Sequence, residues 1–406
     1  MVSGVLSGIR VLDFTRGIAG PYCTKLFADW GADVVKIEEP GRGDPARSFG
    51  PFPGDVPDRE RSGLFLHLNT NKRSVTLDLA TGFGREVVLR LAKSADVIVE
   101  NFRPGVMERL GFSYEALRQE NPELIMTSIS NFGQSGPYRD MRASEIVAFA
   151  MGGPMNVMGL PDREPLKLGA NHVQYQAGNS AAYATLAAWF GHRYAGTPGQ
   201  YIDVSLMETQ AATINFRKIY LLASQYRGER GRRMPVTALG FPSGYYPCRD
   251  GYVTVNGGGQ FWPRTCELLG HPEWVQHERW GLPKGQFSGE GQEEFEAEVW
   301  LPWVLARSKI EVMEACQRYG ILAGAILTVE DSVKSEHYRE RGFFITIDHP
   351  VAGTFTYPGA PFVMSATPRT APAPAPTLGQ HNEDVLVREL GVAPEVLARL
   401  APSGTV

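Results

Sequence analysis

The chain has 406 residues, 43% of them hydrophobic and 21% charged, a composition that suits a two-domain soluble enzyme. Its net charge of −4 excludes a global basic field for nucleic acid. No apolar run reaches membrane length, and the N-terminus has no basic segment leading into an apolar one, so a cytoplasmic protein is expected. The four cysteines, Cys23, Cys248, Cys266 and Cys316, are dispersed, and no histidine or cysteine pair stands at metal-ligand spacing. Free thiols and no metal site are expected.

The first 130 residues alternate strand and helix patterns. Ile9–Phe14 reads as a strand, Pro21–Trp30 as a helix stopped by Gly31, and Asp33–Glu38 as the next strand. Ser74–Leu79 reads as a short strand before a helix at Thr81–Ser94. Asp96–Glu100 is strand-like, Ser113 is an N-cap for a helix ending near Asn121, and Leu124–Ile129 is another buried strand. Short apolar runs separated by amphipathic helices predict an open parallel, Rossmann-like sheet.

Beyond residue 130 the pattern changes. Ala177–Tyr194 is a small-residue helix, Tyr201–Val204 a short strand, and Ser205–Tyr226 a second long helix. Gly228–Pro235 reads as a linker, and 228–335 as a smaller α+β domain containing the strand Gly251–Asn256. Short strands resume near Ile345, Pro368–Pro376 is extended, and Glu383–Leu390 is a last helix. The expected division is a large α/β domain of residues 1–205 with 340–406, and a small domain of 228–335.

Two motifs carry candidate chemistry. Asn71-Lys72-Arg73 places two cations before a strand, and Asn101-Phe102-Arg103-Pro104-Gly105 follows the carboxyl end of a buried strand, where open α/β sheets bind ligands. Read as residues alone, Lys72 and Arg73 are solvated turn cations and Phe102 is core. Gly257-Gly258-Gly259-Gln260 follows the strand Gly251–Asn256 and, as residues alone, reads as a tight turn.

These pieces occur in order with others: Leu6-Ser7-Gly8-Ile9-Arg10-Val11-Leu12-Asp13-Phe14, Ala19-Gly20-Pro21, Gly31 to Glu38 with Gly43-Asp44, Asn69 to Ser74, Phe132 to Pro137, Gly196 to Gln200, and Ala375 to His381. The set resembles the class III CoA-transferases, the family named for carnitine and bile-acid CoA-transferases, almost end to end. The resemblance implies a CoA site at Lys72, Arg73, Asn101, Phe102 and Arg109, with Phe102 against the adenine and the cations on phosphates. It also implies a substrate lid at Gly257–Gln260, an interlocked dimer, and exchange of CoA between an acyl-CoA and an organic acid without a metal.

The stretch Leu168-Gly169-Ala170-Asn171-His172-Val173-Gln174-Tyr175-Gln176-Ala177-Gly178 resembles the family's active-site segment, in which an Asp precedes a small-Gly pair. That Asp attacks the acyl-CoA thioester, expels the thiolate and leaves an acyl–carboxylate anhydride. Here the position holds Gln174, whose amide is a poor nucleophile. Glu39, where several members carry a base, and Ile18, where members carry a polar residue, are further departures. Racemase chemistry, which needs an imidazole and a carboxylate, would fall on Ser144-Glu145 and Gln174 and is disfavoured. Glu145 reads as a helix-start acid. The expectation is a non-catalytic subunit that pairs with an Asp-bearing paralogue. The alternatives are a self-sufficient homodimer and a CoA-binding protein without chemistry.

Overall fold

The structure, a computed structural model, describes residues 4–213, 222–228, 233, 239–367 and 372–406. It divides into two compact units, one of Met1–Met155, Lys167–Arg230 and Phe343–Val406, the other of Asn156–Leu166 and Gly231–Gly342. The second unit thus takes a short excursion from the middle of the chain, which the strand and helix patterns do not reveal.

The first unit holds six parallel strands: β1 (Arg10–Asp13), β2 (Asp33–Glu38), β3 (Arg73–Thr76), β4 (Val97–Glu100), β5 (Ile125–Ser130) and β6 (Tyr201–Ser205). Their order is β3-β2-β1-β4-β5-β6, the doubly wound arrangement with its switch point between β1 and β4. Strands β4 and β5 are buried along their whole length, which is why they read as continuous apolar runs rather than alternating ones. The helices are α1 (Ala19–Ala28), α2 (Gly63–Leu68), α3 (Gly82–Ala92), α4 (Val106–Leu110), α5 (Tyr114–Glu120), α6 (Glu145–Met151), α7 (His172–Ala195) and α8 (Leu206–Thr213). Ser113 caps α5 as expected, accepting the Ala116 amide at 3.1 Å. The α7 helix starts five residues before the expected Ala177, so Gln174 lies in its first turn. The middle of the expected helix Ser205–Tyr226, most of the linker Gly228–Pro235 and part of Pro368–Pro376 lie outside the described residues.

The edge strand β3 is not left bare. The Thr76 amide donates to Asn382 Oδ1 at 2.8 Å, Asn382 Nδ2 donates to Thr76 Oγ1 at 2.7 Å, and the His381 amide donates to the Ser74 carbonyl at 2.9 Å. Val385 and Leu386 then enter the core beneath the sheet. The second unit has an antiparallel sheet of β7 (Ser243–Cys248), β8 (Gly251–Asn256) and β9 (Leu322–Ala325), whose Tyr246, Val253 and Val255 pack on Phe241, Trp262, Phe295 and Trp300. In the first unit, a hairpin of β10 (Phe344–His349) and β11 (Gly353–Pro358) packs Ile347 and Tyr357 on Phe65 and Leu66. Among the described residues no helix is long and apolar enough to cross a membrane.

A buried ionic network underlies β1, β2 and β3. Asp13 Oδ2 meets Lys72 Nζ at 3.0 Å, Lys36 Nζ meets Asp44 Oδ2 at 2.8 Å, and Arg47 Nε meets Glu38 Oε2 at 2.8 Å. Burial alone would raise the Asp13 carboxyl, but Lys36 and Lys72, with the Thr15 and Thr24 hydroxyls, overturn that and hold it at about 2. Burial and the neighbouring Lys36 push Lys72 down to about 8 against the pull of Asp13.

Asp13 is therefore the shared counter-charge of two lysines. Asp13→Asn should cost about 3–5 kcal/mol of stability, since it strands buried cations. Adding Lys72→Met should restore part of that loss in urea unfolding; a double variant no more stable than Asp13→Asn would show that the two groups do not act as a pair. The sign with pH follows from the depressed folded value: the Asp13 contribution is full above an unfolded value of about 4 and is lost as pH falls through about 2. The wild-type melting temperature should drop across that window more steeply than that of Asp13→Asn.

Candidate active site

The network fixes the loop that follows β1. The Lys36 ammonium donates to the Thr15 carbonyl at 2.7 Å, and the Gly17 amide donates to Asp44 Oδ1 at 2.9 Å. Between them, Arg16 and Asn101 exchange two bonds: the Arg16 amide donates to Asn101 Oδ1, and Asn101 Nδ2 donates to the Arg16 carbonyl, each at 2.7 Å. The Arg16 guanidinium lies 4.6 Å over the Phe102 ring. The loops after β1 and β4, on either side of the switch point, are thereby joined.

A cavity of about 500 Å³ opens beside them, at the carboxyl ends of β4 and β5. Its lining includes Asn101, Phe102, Arg103 and Arg109 from the β4 side and Arg139 and Arg142 from the loop after β5. Gly105, at φ 81°, starts α4. A Cβ added there would stand 3.6 Å from the guanidinium groups of both Arg109 and Arg139. Arg139 donates through Nε to the Gln134 carbonyl at 2.9 Å and pairs with Asp140 at 3.3 Å. Arg103, Arg109 and Arg142 take part in no ion pair among the described residues. A concentration of guanidinium groups around one cavity suits phosphate and carboxylate ligands.

Gln174 lines the same cavity from the first turn of α7. Its placement follows from close packing of α7 on α1: a Cβ at Gly178 would meet the Ala19 carbonyl oxygen at 2.6 Å, so only glycine permits the approach. Glu145, at the start of α6, accepts the Val173 amide through Oε1 at 2.7 Å, while its Oε2 is buried without a partner. The helix-start role read from the sequence is therefore exercised on α7 rather than on α6 alone, and a carboxylate stands beside Gln174's own turn.

The structure separates the other expected site residues from this cavity. Lys72 is wholly buried, its ammonium within 2.7–3.0 Å of four acceptors on Asp13, Thr24, Asn69 and the Pro21 carbonyl, more than its three protons can serve, so none is left for a ligand phosphate. Arg73 is engaged by Asp33 at 2.6 Å and by Glu389. Both cations serve the fold. Glu39 and Arg16 face a second cavity of about 300 Å³, over the ends of β1, β2 and β3, of which Phe102 forms one wall. Ile18 is buried at the start of α1.

In the second unit, Gly257–Gln260 is a tied turn after β8. The Gly257 amide donates to the Pro242 carbonyl at 2.7 Å, and the Gly259 amide to Gln286 Oε1 at 3.0 Å. A Cβ at Gly258 would fall 2.3 Å from Gly240 carbon. Close backbone approach requires these glycines in the state described.

Arg139 and Arg142 have no role in the sequence reading, and Arg103 enters it only within the motif Asn101 to Gly105. The signal was available: both arginine-bearing loops follow strands buried on both faces, where open α/β sheets place ligands. What sequence spacing does not give is the convergence of two loops from neighbouring strands.

Residues 6–382 match the sequence model described as CoA-transferase family III. The chain is 33% identical over 398 residues to the succinyl-CoA–D-citramalate CoA-transferase of Chloroflexus aurantiacus, covering 97% of this chain and 96% of that one. It is 35% identical over 421 residues to the formyl-CoA:oxalate CoA-transferase of Streptomyces avermitilis, covering 99% of each. The crystal structure of a CAIB/BAIF family protein from Brucella suis superposes with a TM-score of 0.83 at 27% identity, covering 95% of this chain and 99% of that one. With a fold, a cation-lined cavity and near full-length similarity that agree, this chain belongs to CoA-transferase family III.

Proposed function

We propose that this chain is the non-catalytic subunit of a heteromeric class III CoA-transferase that moves CoA between the acyl-CoA of a dicarboxylic acid, such as succinyl-CoA, and an organic acid. The observation that carries the reading is Gln174, an amide at the cavity wall where the family resemblance calls for the nucleophilic carboxylate. CoA phosphates and the carboxylates of the acid meet Arg103, Arg109, Arg139 and Arg142, with Phe102 against the adenine. Two relatives of this chain are named for the dicarboxylic acids citramalate and oxalate, which fits four guanidinium groups around one cavity.

A partner chain is supported by α7. Tyr183, Leu186, Phe190 and Tyr194 are 37–77% exposed and recur at helical spacing along one side of that helix. The partner in this reading is a paralogue that carries Asp at the Gln174 position, in the interlocked arrangement of family dimers. A second reading, a self-sufficient homodimer, is favoured by one observation: Glu145 Oε2 is a buried carboxylate oxygen without a partner, next to the Gln174 turn.

Two experiments test these readings. The pure chain incubated with succinyl-CoA and then hydroxylamine or borohydride should show no modified residue by mass spectrometry. Activity should appear on co-expression with an Asp-bearing paralogue and vanish when that Asp becomes Asn. A covalent adduct on Glu145, or full transfer by this chain alone, would sink the heteromer reading in favour of the homodimer. Separately, Arg109→Ala removes a charge-assisted phosphate contact of about 1.5–3 kcal/mol, so CoA affinity by calorimetry should fall roughly tenfold or more. Unchanged affinity would remove Arg109 from the site.

A further inference from the structure

The proposed chemistry makes no use of Glu100, yet its carboxylate stands behind the wall that the two cavities share. It ends β4, is 4% exposed, and accepts the Phe102 amide through Oε2 at 2.7 Å. Phe102 lines both the cavity of about 500 Å³ and the one of about 300 Å³. Behind the same loop, Glu100 and Arg103 line a third cavity of about 180 Å³.

The surroundings of Glu100 leave its charge poorly compensated. Glu108 faces it from α4, and Tyr114 and Glu115 from α5; Ser128 lies beside it on β5, and Tyr201 and Asp203 on β6. Gln134 and Arg139 from the loop after β5, and Arg103 from its own loop, complete the enclosure. Arg139 is already engaged by Asp140 and the Gln134 carbonyl. Tyr114 Oη and Gln134 Nε2 are buried there without hydrogen-bond partners. Burial pushes the Glu100 carboxyl up to about 7, with Ser128 and the Phe102 amide opposing and Glu108 and Asp203 adding to the rise.

We propose that Glu100 is a positioning residue: its ionised carboxylate holds Phe102, and through Phe102 and Asn101 the Arg16 loop, against the ligand cavities, and a proton gained at this carboxyl loosens that wall. A hydrogen bond to a charged acceptor is roughly twice as strong as one between neutral groups. Protonation therefore weakens the anchor without breaking it. Arg16 follows because its guanidinium lies on the Phe102 ring and its backbone is paired with Asn101. Only the ligand arm of the test below rests on the CoA reading given above.

Amide hydrogen exchange of the segment 101–105 in the free, full chain, corrected for intrinsic rates, should be measured across about pH 5.5–8.5 for wild type and Glu100→Gln. Glutamine keeps an acceptor oxygen for the Phe102 amide and cannot ionise. Wild-type protection should rise roughly threefold or more as pH passes the titration of the carboxyl, with its midpoint near about 7. Glu100→Gln should stay flat at the acid-side level. A flat wild-type profile, or the same rise in Glu100→Gln, would overturn the proposal. In a parallel CoA titration, wild-type affinity should follow the exchange profile and the variant's should not. If CoA fails to bind at any pH while the exchange profiles differ as expected, the CoA reading falls and the positioning role stands.

Discussion

The pairing of Asp13 with Lys72 and Lys36 is the constraint on which the rest of this structure depends. Three strands are tied at one point: Asp13 closes β1, Lys36 lies within β2, and Lys72 precedes β3. None of these charges reaches solvent, so each depends on the others for compensation. The same groups use their remaining hydrogen bonds on the backbone of the loop after β1, through Thr15 and, by way of Asp44, Gly17. That loop then fixes Asn101 and Phe102. A buried ion network thus sets the wall of the cavity at the ends of β4 and β5, beginning with the strand next to β1.

The cavity brings several arginines together with an amide. Four guanidinium groups from two loops surround it, and the first turn of α7 presents an amide. A helix N-terminus stabilises a carboxylate and any anion formed beside it, so the position suits an Asp better than the Gln it holds. Gly178 lets α7 approach α1 closely, and Glu145 accepts the Val173 amide in the same turn.

Glycine has two separate uses here. At Gly105 a left-handed backbone, which side-chain-bearing residues rarely adopt, starts α4 beside two arginines. At Gly258 the chain crosses Gly240 so closely that no side chain fits, and the neighbouring amides are bonded. Both stand in motifs that the sequence flags by glycine content, and only packing tells a ligand wall from a tied turn.

The sequence by itself determined the parallel α/β class, the positions of β2 and β8, the Ser113 cap, and the family, because these rest on local periodicity, caps and motifs in order. It also determined that Gln174 is an amide, a matter of covalent chemistry. Tertiary structure decided the rest. Lys72 reads from its turn as a solvated cation and from the resemblance as a CoA contact, and it is a buried counter-ion, because burial depends on what Asp13 and Thr24 do across the sheet. Arg139 and Arg142 join Arg103 and Arg109 only because β4 and β5 are neighbours. Residues 156–166 join the second unit by long-range contacts that leave no local pattern. Sequence carries the chemistry of each side chain and its nearest turn; which charges are buried, and which loops converge, is set by the order of strands in the sheet.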